Sequence, residues 1–133
     1  DVVVLGFRDA AHAAAEGSRP LVPTIHAIDL PSVREQSAER AARDALAHLE
    51  RTGGPAGFWI HLDVDVLDDA IMPAVDYHLP DGLTWEELTA VLRTAAASNH
   101  ATGLDITIFN PTLDPDGRVA RSLVDALVAG LTP

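Results

Sequence analysis

The chain has 133 residues, 47% hydrophobic and 22% charged, the size and composition of one globular domain with a proper core. A net charge of −11, with no lysine and nine scattered arginines, offers no basic patch to nucleic acid or to an anionic membrane surface. The lack of cysteine removes disulfides, thiolate zinc sites and thiol nucleophiles, and no apolar run reaches the roughly 20 residues of a membrane span, so a cytoplasmic location is expected.

Val2 to Phe7 reads as a buried strand, already under way at a start that lacks Met, as expected of a fragment of something longer. A loop with Gly17, Pro20 and Pro23 leads to a short second strand around Thr24 to Ile28. Ser32 with Glu35 three residues on forms a capping box, predicting a helix to about Arg51 that Gly53-Gly54 ends. The third strand begins at Phe58 and carries Asp63 and Asp65. After a loop with Pro73, Pro80 and Gly82, Thr84 and Glu87 form a second capping box, stapled by Leu83 and Leu88, for a helix to about Ser98. A fourth strand spans Leu104 to Phe109, Asn110-Pro111 breaks it, and a last helix starts near Arg118 with Val119, Leu123, Val124, Leu127 and Leu131 at helical spacing. Strands alternating with helices predict an α/β fold with a mostly parallel sheet. Functional groups of such sheets gather beyond the carboxyl ends of the strands, and three of the four ends are polar: Arg8-Asp9, Asp63-Val64-Asp65 and Asn110.

The run Phe58-Trp59-Ile60-His61-Leu62-Asp63-Val64-Asp65 drives an apolar strand into two aspartates spaced i and i+2, which strand alternation places on one face. Two anions so placed repel unless a cation sits between them, and a hard divalent ion is one answer. A lone D-x-D is a weak motif, however, and an aspartate that caps a turn or pairs with an arginine such as Arg8 explains it as well.

The surroundings add to that reading. Asp63-Val64-Asp65, Pro73-Ala74 and Gly82-Leu83-Thr84 before a helix resemble the ureohydrolase signature of arginases, agmatinases and formimidoylglutamases. Leu5-Gly6-Phe7-Arg8-Asp9 upstream, and Gly103-Leu104-Asp105 with Asn110-Pro111 downstream, resemble further parts of the same family in the same order. The resemblance implies a three-layer αβα, arginase-like fold, with residues 1–133 as the C-terminal half of a ureohydrolase-like domain. It also implies a pair of manganese ions (Mn2+), Asp63 bridging both and Asp65 binding one, with a metal-held hydroxide cleaving a carbon–nitrogen bond in an amidine-type or related small-molecule substrate. His61, two residues before Asp63, and Asp68, at a family-acidic position, are candidates for support around the ligands, although a histidine deep in a strand is more often a core residue.

The chain departs from the family pattern in several places. The Asp-x-His-x-Asp segment that completes the family's ligand set does not occur in it, so it is expected to bind metal weakly and to turn over little by itself. Ile108 stands where the family carries a Glu that meets a guanidinium, and an isoleucine cannot pair with a cation. Ala10 and Ala11 stand where arginases carry an acidic substrate contact, His61 where a small residue is usual, and Asp69 where Pro is frequent. No residue of this chain is therefore assigned a catalytic or substrate-binding role. Two alternatives remain: a non-catalytic, degenerate member or assembly subunit whose open sheet edge pairs with a missing N-terminal half or with another copy as a homo-oligomer, and a haloacid-dehalogenase-like phosphatase with Asp63 as nucleophile. The second lacks a lysine to hold the phosphate.

Overall fold

The computed structural model describes residues 1–53 and 57–132; the predicted helix stop at Gly54 lies outside them. In chain order the elements are β1 (Val2–Phe7), α1 (Ala10–Ala15), β2 (Ile25–Asp29), α2 (Leu30–Gln36), α3 (Ala38–Gly53), β3 (Phe58–Asp63), α4 (Trp85–Ala97), β4 (Ala101–Thr107) and α5 (Arg118–Leu131). β1 pairs in parallel with β2, with Val4 opposite Ala27, and β3 in parallel with β4, with Ile60 opposite Leu104 and Asp63 opposite Thr107. The pairing is parallel, as the alternation of strands and helices requires, but among the described residues it forms two separate two-stranded pieces rather than one sheet.

Period-two alternation sets the faces of β3. Ile60 and Leu62 pack into a core built from Val33, Val64, Leu67, Met72, Leu83, Leu88 and Leu92, whereas Trp59 and His61 stand exposed on the other face. α4 packs against both α3 and α5, so the helices form a layer over one side. No described helix is long and apolar enough to cross a membrane.

Several boundaries differ from the sequence reading for identifiable reasons. The first long helix starts at Leu30, because the Asp29 carboxylate accepts a hydrogen bond from the Ser32 amide at 3.0 Å and Pro31 occupies the first turn, where its missing N–H costs nothing. That helix is also two helices: Ser37 adopts φ 88°, which interrupts the ladder, and its hydroxyl accepts from the Arg40 amide to open α3. The segment after β1 folds into α1 rather than an open loop. β4 ends at Thr107, since Ile108 turns to φ 72° and leaves the extended conformation. The Thr84–Glu87 capping box forms as predicted, with both reciprocal bonds, and Leu83 and Leu88 are buried beside it. α5 begins at the predicted Arg118, its first amides held by buried Asp114, which accepts from Val119 at 3.1 Å and Ala120 at 2.8 Å.

Candidate metal centre

β3 stops at Asp63, and Val64–Val66 form a single 3-10 turn. Asp65 is thus not a strand residue, and simple strand alternation is not what unites it with Asp63; the tight turn does that instead. The turn can sit against β1 because Gly6, at φ 88°, bulges the strand and carries no side chain. A Cβ there would lie 2.9 Å from Val66 Cγ2.

Asp63 Oδ1 is buried and has no hydrogen-bond partner among the described residues. An orphaned buried carboxylate oxygen is costly and calls for an explanation. Burial, then the negative charge of Asp63 and a side-chain hydrogen bond between the two carboxyl groups, push the Asp65 carboxyl above the usual carboxylate range; Arg8 opposes this and Asp9 adds to it. These are the electrostatics of a site short of positive charge. Two oxygen donors of this kind suit a hard divalent cation, and no larger cluster stands beside them: among the described residues no three His, Cys, Asp or Glu side chains converge as metal ligands.

Among the described residues, Arg8 forms no hydrogen bond or ion pair with the side chain of either aspartate. Its guanidinium instead gathers backbone carbonyls from two loops. Nη1 donates to Asp65 O at 3.0 Å and Val66 O at 3.4 Å, Nη2 to Leu67 O at 3.2 Å and Leu79 O at 2.6 Å, and Nε to Pro80 O at 3.0 Å. A planar fork with five donors is suited to this; an ammonium is not. The signal was present in the Gly6-Phe7-Arg8-Asp9 strand end, but its partners lie 57 to 72 residues away.

Asp68 holds the same loop. Its Oδ1 accepts from the Ala70 amide at 2.9 Å and its Oδ2 from the Gly82 amide at 3.2 Å, and the first of these holds its carboxyl below the usual range. Gly82 is needed there, since a Cβ would fall 2.2 Å from the Leu67 carbonyl carbon. Asn110 joins the edge by donating to Asp76 Oδ1 at 2.8 Å.

His61 stands exposed on β3 rather than in the core. Its Nδ1 lies 2.7 Å from Asp105 Oδ2 and its Nε2 3.4 Å from Thr107 Oγ1, both on β4, and the Trp59 indole N–H donates to the other Asp105 oxygen. That indole bond, with His61 assisting, holds the Asp105 carboxyl below the usual range. This polar cluster lies on the exposed face of the β3–β4 pair, and sequence spacing alone did not reveal it.

The model of the Arginase family matches residues 1–131. The arginase of Brucella melitensis is 30% identical over 129 residues, which is 97% of this chain and 41% of that protein. Among solved structures, arginase from Bacillus caldovelox superposes with a TM-score of 0.77 over 98% of this chain and 42% of its own, at 24% identity. Formiminoglutamase from Trypanosoma cruzi, solved with Mn2+, does so with a TM-score of 0.64 over 91% and 38%, also at 24% identity. The chain spans less than half the length of the curated relatives it matches. The fold is thus the arginase-like three-layer αβα class that the motifs implied, and the chain belongs to the arginase family.

Proposed function

We propose that this chain supplies two ligands, Asp63 and Asp65, to a dinuclear manganese site in a hydrolase that cleaves a carbon–nitrogen bond of a small substrate. The observation that carries the proposal is the buried Asp63 Oδ1 without a partner, beside an Asp65 carboxyl raised by burial and by its neighbour's charge. When bound, such ions supply a Lewis acid and a water of lowered pKa. The chain's own contribution is positional: Arg8 holds the backbone carbonyls of Asp65 to Leu67, Asp68 ties the loop that follows them to Gly82, and the bulge at Gly6 lets the turn settle against β1. The remaining ligands come from the part of a longer family member that these 133 residues do not span, which makes residues 1–133 one half of the domain. With Ile108 where the family carries a guanidinium-binding Glu, the substrate is recognised by other means than an ion pair at that position. The match to the arginase family over residues 1–131 favours this reading over a phosphatase.

Calorimetric titration of Mn2+ into the isolated chain and into the Asp63→Ala/Asp65→Ala double variant tests the reading. The expected result is weak binding by the chain and none by the variant. Tight binding by the isolated chain would overturn the half-site picture, and binding unchanged in the variant would overturn the ligand assignment.

A further inference from the structure

His26 on β2 and His48 on α3 stack face to face, with ring centroids 4.2 Å apart and planes 11° from parallel. Period two puts His26 on the same face of β2 as buried Ile28, and helical spacing puts His48 on the face of α3 that carries Ala41 and Ala45 into the core. Both residues are half-buried, and α3 packs on both β1 and β2. The stack is part of that contact.

The geometry does not suit a metal ion. Ring nitrogens direct their lone pairs within the ring plane, so nearly parallel rings cannot aim them at one point. The surroundings instead make the pair sensitive to protons. Burial first, then the positive charges of His26, of Arg51 on the next turn of α3 and of the amino group at Asp1, hold the His48 imidazole below the usual histidine range. Among the described residues no carboxylate forms an ion pair with either ring. Asp44, one turn back on α3, is taken by Arg40 at 3.1 Å, exposed Glu50 lies on another side of the helix, and Asp29 at the end of β2 caps α2.

We propose that His26 and His48 form a proton-operated latch: neutral, they hold β2 against α3, and doubly protonated they part and release it. One proton leaves a charged ring on a neutral one, which a stack tolerates. The second sets two like charges about 4.2 Å apart in a half-buried place, which it does not. A ring freed into water takes its proton at the ordinary value of about 6.5, whereas the latched His48 resists it. Release therefore takes up protons and becomes easier as pH falls below about 6.5. The freed strand matters to the rest of the chain, since β2 pairs with β1, and β1 leads to Arg8, which holds the Asp65 carbonyl at 3.0 Å.

The test is native-state amide exchange of the chain at about pH 7.5 and about pH 5.5, in buffer with a chelator and corrected for the intrinsic pH dependence of exchange. The expected result is protection in β2 that falls about tenfold or more at the lower pH relative to α4, which takes no part in the stack. His48→Phe keeps an aromatic ring against His26 and takes no proton, so its β2 should keep the same protection relative to α4 at both pH values. An equal fall in β2 and α4, an unchanged β2, or the same selective fall in His48→Phe would overturn the proposal. So would a β2 already unprotected at the higher pH. If the variant does not fold, proton NMR titration of the two rings in the wild-type chain decides the matter. Two separated steps for the pair support the latch, and independent titration of each ring at the ordinary value overturns it.

Discussion

Replacing Arg8 with alanine tests how the turn that carries Asp65 is held. Arg8 is half-buried, and three of its bonds are short and shielded: those to the Asp65, Leu67 and Leu79 carbonyls at 3.0, 3.2 and 2.6 Å. A hydrogen bond to a charged group contributes about 1.5–3 kcal/mol when its partner would otherwise be left dry. Water can reach part of this loop in the variant, which cuts each contribution to about 1 kcal/mol, and the exposed Pro80 and long Val66 contacts add little. The expected loss is about 3 kcal/mol, a large share of the roughly 5–15 kcal/mol that holds a domain together. Urea unfolding followed by tryptophan fluorescence should show a lower midpoint at unchanged slope, because the exposed area on unfolding stays the same. Arg8→Lys should recover only about a third of the loss, since one ammonium cannot reach both loops. A loss below about 0.5 kcal/mol for alanine, the range of ordinary surface changes, or full rescue by lysine, would refute the clamp.

Two further outcomes follow from local geometry. Asp29→Ala removes the cap of α2 and should cost about 1 kcal/mol at neutral pH. The Ser32 hydrogen bonds hold the Asp29 carboxyl below its ordinary value, so its contribution is present above that value and is lost as pH falls through the lowered one. Unfolding curves of wild type and variant should therefore converge in acid, and a gap that widens there would contradict the assignment. Ile108→Asn should stabilise the chain by about 1 kcal/mol, because a β-branched residue at φ 72° is strained and asparagine tolerates that conformation; a lower melting temperature would show that the exposed isoleucine is held by something else.

The sequence showed most clearly what depends on near neighbours. Thr84 and Glu87 form their box because both partners sit within one turn, and the helix after Arg118 follows its own apolar period. The start of α2 was misread by one cap, since Asp29 and Ser32 are both good caps and only the fold chooses between them. Nothing in the composition around Ser37 announces a left-handed residue there. The aspartate pair was visible as a motif, but the reason given for its convergence was wrong in kind, because a 3-10 turn replaces the strand at Val64. The Arg8 clamp and the Asp105 cluster depend on contacts 44 to 72 residues apart, which no local pattern encodes.

The division into two strand pairs has a consequence for how the molecule opens. Among the described residues no backbone ladder joins the β1–β2 and β3–β4 pairs, and their ties include α3 packing on α4, the turn at Val66 seated against Gly6, and the reach of Arg8. The ladder inside each pair is therefore a separate cooperative unit, and β1 with β2 can detach without first breaking a bond of β3 to β4. Native-state hydrogen exchange should then resolve two opening free energies rather than one.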